Sequence, residues 1–254
     1  MGKVLESEGF EFAVRRYTGK ADCVCVPEGI KAICEKAFQN RSALVQVTLP
    51  ESTEFVGERA FEACRKLVKV NIPDRVQSLD SFAFKSCASL RNVVLPESMR
   101  KIGESCFAFC TSLEYIELPQ KIAKIPNGCF RNCKNLTFIE IPEGVREIDA
   151  HAFQGCESLS LLVLPESLVS VGREAFKGCT SLTEVFVPSK VKTIDEGAFE
   201  GCSALEDVFF PEGIRRIRSR AFSGCTALRE LVVPPAIQFL ADDAFDAGKL
   251  VRDE

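Results

Sequence analysis

The sequence has no tryptophan, one histidine, two tyrosines and two methionines. With His151 alone, no Ser-His or Cys-His couple can form elsewhere in the chain, which excludes the common nucleophilic triads and any His-rich metal site. There is no C-x-x-C pair and no glycine-rich phosphate loop. No catalytic residue, metal or cofactor is therefore expected. An uninterrupted apolar run of roughly 18 residues is also missing, so insertion into a membrane as a helix is not expected. The opening "MGKVLESEGFEFAVRRYTGK" lacks an apolar stretch of signal-peptide length, and Glu6 breaks the myristoylation pattern that Gly2 begins. As written, the chain is expected in the cytoplasm, or at the cell surface or secreted if a leader has been removed. The net charge of -4 and pI of 5.4 leave no basic excess, and no nucleic-acid partner is expected.

What the chain does have is a period. Pro27, Pro50, Pro73, Pro96, Pro119, Pro142, Pro165, Pro188, Pro211 and Pro234 lie 23 residues apart without a slip. Other positions hold the same register. Three and six residues after each proline the side chain is aliphatic, with Thr53 the exception. Eleven after, every repeat has phenylalanine, from Phe38 to Phe245. Fourteen after, eight repeats have cysteine, from Cys64 to Cys225, and seventeen after comes leucine, from Leu44 to Leu228. A fixed period of this length means a solenoid, in which each unit buries its apolar side only against its neighbours.

The unit reads P-E-x-V-x-x-I-x-x-x-A-F-x-x-C-x-x-L-x-x-V-x-V. In this it resembles the BspA-like (Treponema pallidum type) leucine-rich repeats, and "LEDVFFPEGIRRIRSRAFSGC", Leu205 to Cys225, carries the whole family pattern. The fold class implied is an α/β solenoid, a curved leucine-rich-repeat horseshoe of ten 23-residue repeats. L-x-x-V-x-V alternates and reads as a strand of a parallel concave sheet, closed by a proline that cannot extend the ladder. V-x-x-I reads as a turn or second short strand. A-F-x-x-C-x-x-L spaces its apolar residues by three, which predicts a short helix or 3₁₀ turn on the convex side. The Phe column predicts a buried stack of rings. One domain is expected over 1–254. Residues 1–26 would form a β-hairpin cap around Thr18-Gly19, 27–245 the repeats, and 246–254 a C-terminal cap or truncated end.

Thirteen cysteines invite a redox or metal reading. Eight share one internal phase, where free cysteine serves as a small buried apolar side chain. Disulfides between rungs, and a zinc site from Cys106, Cys110, Cys129 and Cys133, are the competing readings. Cys23 and Cys25 differ, because their phase is that of the concave face, where they would be exposed and reactive.

Partner binding falls to positions the core does not claim. Four before each proline the chain reads, from the fifth repeat on, Tyr115, Phe138, Leu161, Glu184, Asp207 and Glu230. Two before, it reads Glu117, Glu140, Val163, Phe186, Phe209 and Val232. Phe209 is thus separated by phase from its neighbour Phe210, which falls on a core position. The result is an apolar strip edged with carboxylates, a surface that suits a protein partner with basic and apolar groups. Strand propensity alone also accounts for such residues, and aromatic rings beside carboxylates suit a sugar or, less directly, a calcium ion. The resemblance implies cell-surface or secreted adhesins that bind host protein or glycan, since many members are bacterial or protist surface proteins. A monomer is expected, with end-to-end association, or a self-assembling scaffold, as the alternative.

Overall fold

The computed structural model of the chain describes residues 12–229, 231–246 and 250–252. It is a parallel-strand solenoid of about ten turns, built from 22 short strands in two ladders. The first ladder runs Cys23–Cys25, Gln46–Thr48, Lys69–Val70, Asn92–Val93, Tyr115–Ile116, Phe138–Glu140, Leu161–Val163, Glu184–Phe186, Asp207–Phe209, Leu231–Val233 and Leu250–Arg252. The second takes two residues from each turn, from Ala13–Val14 to Phe239–Leu240. Every pairing is parallel and joins equivalent positions of successive turns, such as Val24 with Val47 and Ile125 with Ile148. The alternation read from the sequence is the cause. Among the described residues, those one and three before each in-phase proline point inward, and those two and four before point out.

Between the ladders lies one continuous apolar core that reaches from Val14 to Ala244. Its axis is the phenylalanine column. Rings from Phe38 to Phe222 are fully buried and stacked face to face, with centroids 5.0 Å apart for Phe38 and Phe61 and 5.7 Å for Phe107 and Phe130. Thr53, the polar exception in its column, is buried too and donates its hydroxyl to the Ile30 carbonyl at 3.4 Å.

Of the short helix or 3₁₀ turn expected on the convex side, no helix occurs among the described residues, and the A-F-x-x-C segments are chains of tight turns. The backbone shows why. Ala37, Gln39 and Arg41 donate their N–H groups three residues back, to Cys34, Lys36 and Phe38, whereas Lys36, Phe38 and Asn40 donate to Glu58, Ala60 and Glu62 of the next rung. A helix would keep all of these bonds to itself. Here half are handed on, and positions nine and thirteen after each in-phase proline from Pro27 to Pro211 take up left-handed dihedrals to aim them: Lys36 (φ 57°) and Asn40 (φ 60°), Phe82 (φ 61°) and Ser86 (φ 62°), Gly197 (φ 61°) and Gly201 (φ 72°).

The segment around Thr18-Gly19, expected to form a hairpin, does not pair its flanking strands with each other. Ala13–Val14 runs parallel to Ala32–Ile33, and Cys23–Cys25 pairs with Gln46–Thr48. From Ala13 on the chain winds in the solenoid sense, and Tyr17 supplies a ring for the spine. It stacks on Phe38 at 5.1 Å and is buried. A hairpin there would leave the outer face of Phe38 bare. Beyond Phe245, Leu250–Arg252 pairs in parallel with Leu231–Val233, while 247–249 and 253–254 lie outside the described residues.

Candidate functional site on the first ladder

The outward positions of the first ladder are where the phase places them. Tyr115 is 45% exposed, Phe186 57% and Phe209 48%; Leu161, Val163 and Val232 are exposed as well, and Phe138 is half-buried. Glu230 lies outside the described residues. In-register pairing then brings the aromatic and aliphatic side chains of successive strands together. Phe186 sits opposite Phe209, and their rings stack with centroids 4.4 Å apart at 7°. Tyr115 and Phe138 stack at 6.4 Å and 5°. Phe138 is opposite Leu161, and Glu140 opposite Val163. The apolar strip therefore runs along the outer column through Tyr115, Phe138 and Leu161. It crosses to the inner column on the strand Leu161–Val163, and continues through Phe186, Phe209 and Val232.

Carboxylates fill the other column at each end. Glu184 stands directly opposite Asp207. Like charges at this spacing repel, and among the described residues none of Glu117, Glu140, Glu184 and Asp207 has an ion-pair partner. The ion pairs on this side of the molecule use the neighbouring column instead, Arg91 with Glu114 at 3.1 Å and Arg229 with Glu206 at 3.7 Å. Phe210 lies behind this surface. It is half-buried and meets the spine ring Phe222 edge-on at 5.8 Å.

The first half of the ladder holds a feature that phase reading overlooks. A groove of about 550 Å³ is lined by Val68, Lys69, Asn71, Arg91, Asn92 and Val94. Val94 is 80% exposed, and Val68 is exposed five residues before its proline, outside the two columns considered. Asn71, which counts as an outward residue by phase, is not free for a ligand. Its side chain accepts from the Leu49 N–H at 2.7 Å and donates to the Leu49 carbonyl at 2.9 Å, standing in for strand pairing. Only these side-chain bonds could have revealed its role.

The cysteines separate cleanly. Cys23 and Cys25 are exposed, Cys34 is half-buried, and the other ten are buried. In the eight-residue column each thiol donates to a phenylalanine carbonyl 26 residues back, Cys64 to Phe38 at 3.0 Å and Cys156 to Phe130 at 3.1 Å. Burial pushes Cys64, Cys110 and Cys156 up to about 12, and raises Cys87, Cys106, Cys129, Cys133, Cys179 and Cys202 as well. Neutral, hydrogen-bonded thiols are poor nucleophiles and poor metal ligands. No three metal-ligating side chains converge among the described residues. A thiol titration of native protein with an aromatic disulfide reagent should register Cys23 and Cys25 quickly and Cys34 slowly. More than about four fast thiols would show that the ladder is open to solvent. His151 is half-buried in the turn segment of its repeat, with Nδ1 3.5 Å from Oε2 of Glu174. No helix of the described residues is long and apolar enough to cross a membrane.

Known proteins match this architecture. Six copies of the BspA type leucine rich repeat region match residues 16–137 and 123–251. Among solved structures, a leucine-rich repeat protein of Treponema pallidum is 35% identical over 67% of this chain and 82% of its own, with a TM-score of 0.64. A leucine-rich cell surface protein of Faecalibacterium prausnitzii is 24% identical, with 92% and 81% covered and a TM-score of 0.54. The pneumococcal vaccine antigen PcpA is 20% identical, with 91% and 73% covered and a TM-score of 0.54. At those last two identities the likeness is one of fold. No curated protein matches the chain.

Proposed function

Because the chain belongs to the BspA-type leucine-rich repeat family, we propose that it is a non-enzymatic interaction module that captures a protein partner on the outward face of the first ladder, from Tyr115 to Val232. The observation that carries this reading is the exposed, stacked pair Phe186 and Phe209 beside the unpaired Glu184 and Asp207. Rings fixed by a sheet lose little conformational freedom on binding, and aromatic anchors of this kind dominate interface energies. Two carboxylates held at strand spacing are destabilised by each other, and a cationic group between them would relieve that repulsion. The partner then presents an apolar ridge flanked by lysine or arginine.

The test is a comparison of wild type with Phe186→Ala/Phe209→Ala in capture from the native source, followed by affinity measurement on the protein recovered. The pair should lower affinity by about 100-fold or more and leave the melting temperature nearly unchanged. If the double variant instead loses several kcal/mol of stability, the rings belong to the core. If it binds as wild type does, the face is not the contact surface.

A second reading is favoured by one observation at the other end of the strip. Tyr115, Glu117, Phe138 and Glu140 line a shallow recess of about 60 Å³, where the edge of a sugar ring could lie against aromatic faces. Elution of the captured ligand by uncharged saccharide rather than by salt would favour a glycan there over a basic protein. An adhesin on a cell surface would use the same face in either case.

A further inference from the structure

The second ladder has a different chemistry. Four and five residues after the prolines its outward columns carry Arg100, Lys101, Lys124, Arg146, Lys192 and Arg216, all exposed, and Glu147 is the one carboxylate in those columns from Arg100 to Arg216. Lys124 is tied to Asp149 at 2.8 Å. Among the described residues Arg100, Lys101, Arg146, Lys192 and Arg216 have no ion-pair partner. An acidic protein has thus gathered unpaired cations on one sheet.

The same sheet is broken in one place, and the cause is a single residue. At the seventh position after the proline the backbone N–H reaches back to the preceding rung: Gly57 to Ile33 at 2.8 Å, Asp80 to Val56 at 3.1 Å, Asp149 to Ile125 at 2.9 Å. Pro126 holds this position in the fifth repeat and has no N–H to give. The bond to the Ile102 carbonyl cannot form, and the ladder divides there into a five-stranded and a six-stranded sheet. The seam opens as a groove of about 480 Å³. Exposed Ala123, with the edges of buried Ile102 and Pro126, gives it apolar surface, Arg100, Lys101 and Lys124 give it cations, and Ser81, Gly103 and Glu104 also line it.

We propose that this basic face, seated on the Pro126 seam, binds a sulfated linear polysaccharide. Cations repeated at strand spacing from Arg100 to Arg216 extend over roughly 24 Å, five steps of the ladder, which suits a chain with anionic groups at intervals better than one small anion. The apolar surface of the groove suits the C–H face of a sugar ring, which an inorganic polyphosphate lacks. A single-stranded nucleic acid would want aromatic platforms between the cations. The aromatic residues of these two columns, Phe55 and Phe239, lie outside the basic stretch. This site is separate from the face proposed for the protein partner.

The probe is heparin, titrated calorimetrically into the full chain at low and moderate salt. Binding should weaken as salt rises, and fully desulfated heparin should fail to bind. Arg100→Glu/Lys101→Glu/Arg146→Glu should lower affinity by about ten-fold or more with an unchanged melting curve, while Phe186→Ala/Phe209→Ala binds as wild type does. Pro126→Ala keeps the charge and restores the N–H, so a several-fold loss in that variant marks the groove rather than the charge alone. No heparin binding at low salt, wild-type affinity in the charge-reversed variant, or equal affinity for polyphosphate or an oligonucleotide would each overturn the proposal. Wild-type affinity in Pro126→Ala would overturn the seam as its seat.

Discussion

Stability should hold to about pH 8 and then collapse within about two further units. The cause is the buried thiol column. Ten cysteines are buried, and those in the center of the stack ionise far less readily than an ordinary thiol at 9.0, because a thiolate there would lose its hydration between apolar rungs. More than about one unit below that value the folded and unfolded chains hold nearly the same thiol protons, so the thiols contribute almost no pH dependence. Above it, the unfolded chain releases protons that the folded chain retains. Each thiol then lowers stability by about 1.4 kcal/mol per pH unit, until its folded value is reached. Together, the nine buried thiols whose values are raised approach a slope on the order of 10 kcal/mol per unit, comparable with the whole stability of a typical domain. Urea unfolding followed by circular dichroism across this range, under reducing conditions, measures the slope directly. Replacing Cys87, Cys110 and Cys133 by alanine should make it shallower. A slope that those replacements leave unaltered would mean that other groups drive alkaline unfolding.

Phe199→Ala should be the most damaging single change to the middle of the array, at about 3–5 kcal/mol. Phe199 is fully buried, with Phe176 and Phe222 on its two faces at 5.3 Å each. Its backbone is equally committed: the N–H donates to the Ala221 carbonyl at 2.8 Å, and its own carbonyl accepts from the Cys225 thiol at 3.2 Å. Alanine keeps those bonds but leaves a ring-sized void that two flanking rings, each pinned by its own neighbour, cannot close. In an array stabilised by nearest-neighbour contacts the loss is local, so denaturant unfolding should divide into two phases, one for each side of the damaged rung. A penalty under about 1 kcal/mol would show that the spine can slide shut.

The core was legible in the sequence because it repeats: a residue that recurs in every copy at one phase has one environment, and Phe38 to Phe245 declared theirs at once. The turns were not, because apolar residues spaced by three suit a short helix and a stack of tight turns equally well. What decides between them is the left-handed backbone at Lys36, Arg59, Phe82 and Glu174, residue types that give no warning of it. The outward residues Tyr115, Phe186 and Phe209 followed from phase alone. Asn71 did not, since its bonds to Leu49 depend on a side chain turning back on the sheet. The seam was visible only as Pro126, a proline out of step with the ten that keep the period.

The crossing of the apolar strip at Leu161–Val163 bears on how such a chain can change length. Whole repeats of 23 residues can be excised or duplicated without disturbing the core, because each rung offers its neighbours the same rings and the same donors. The binding face is not indifferent in that way. Excising the repeat that holds Leu161 and Val163 would bring Phe138 beside Glu184 and Glu140 beside Phe186, and would cut the strip into two unconnected patches. Recombination between repeats can therefore rewrite the outward pattern of this protein in single steps while leaving its fold intact.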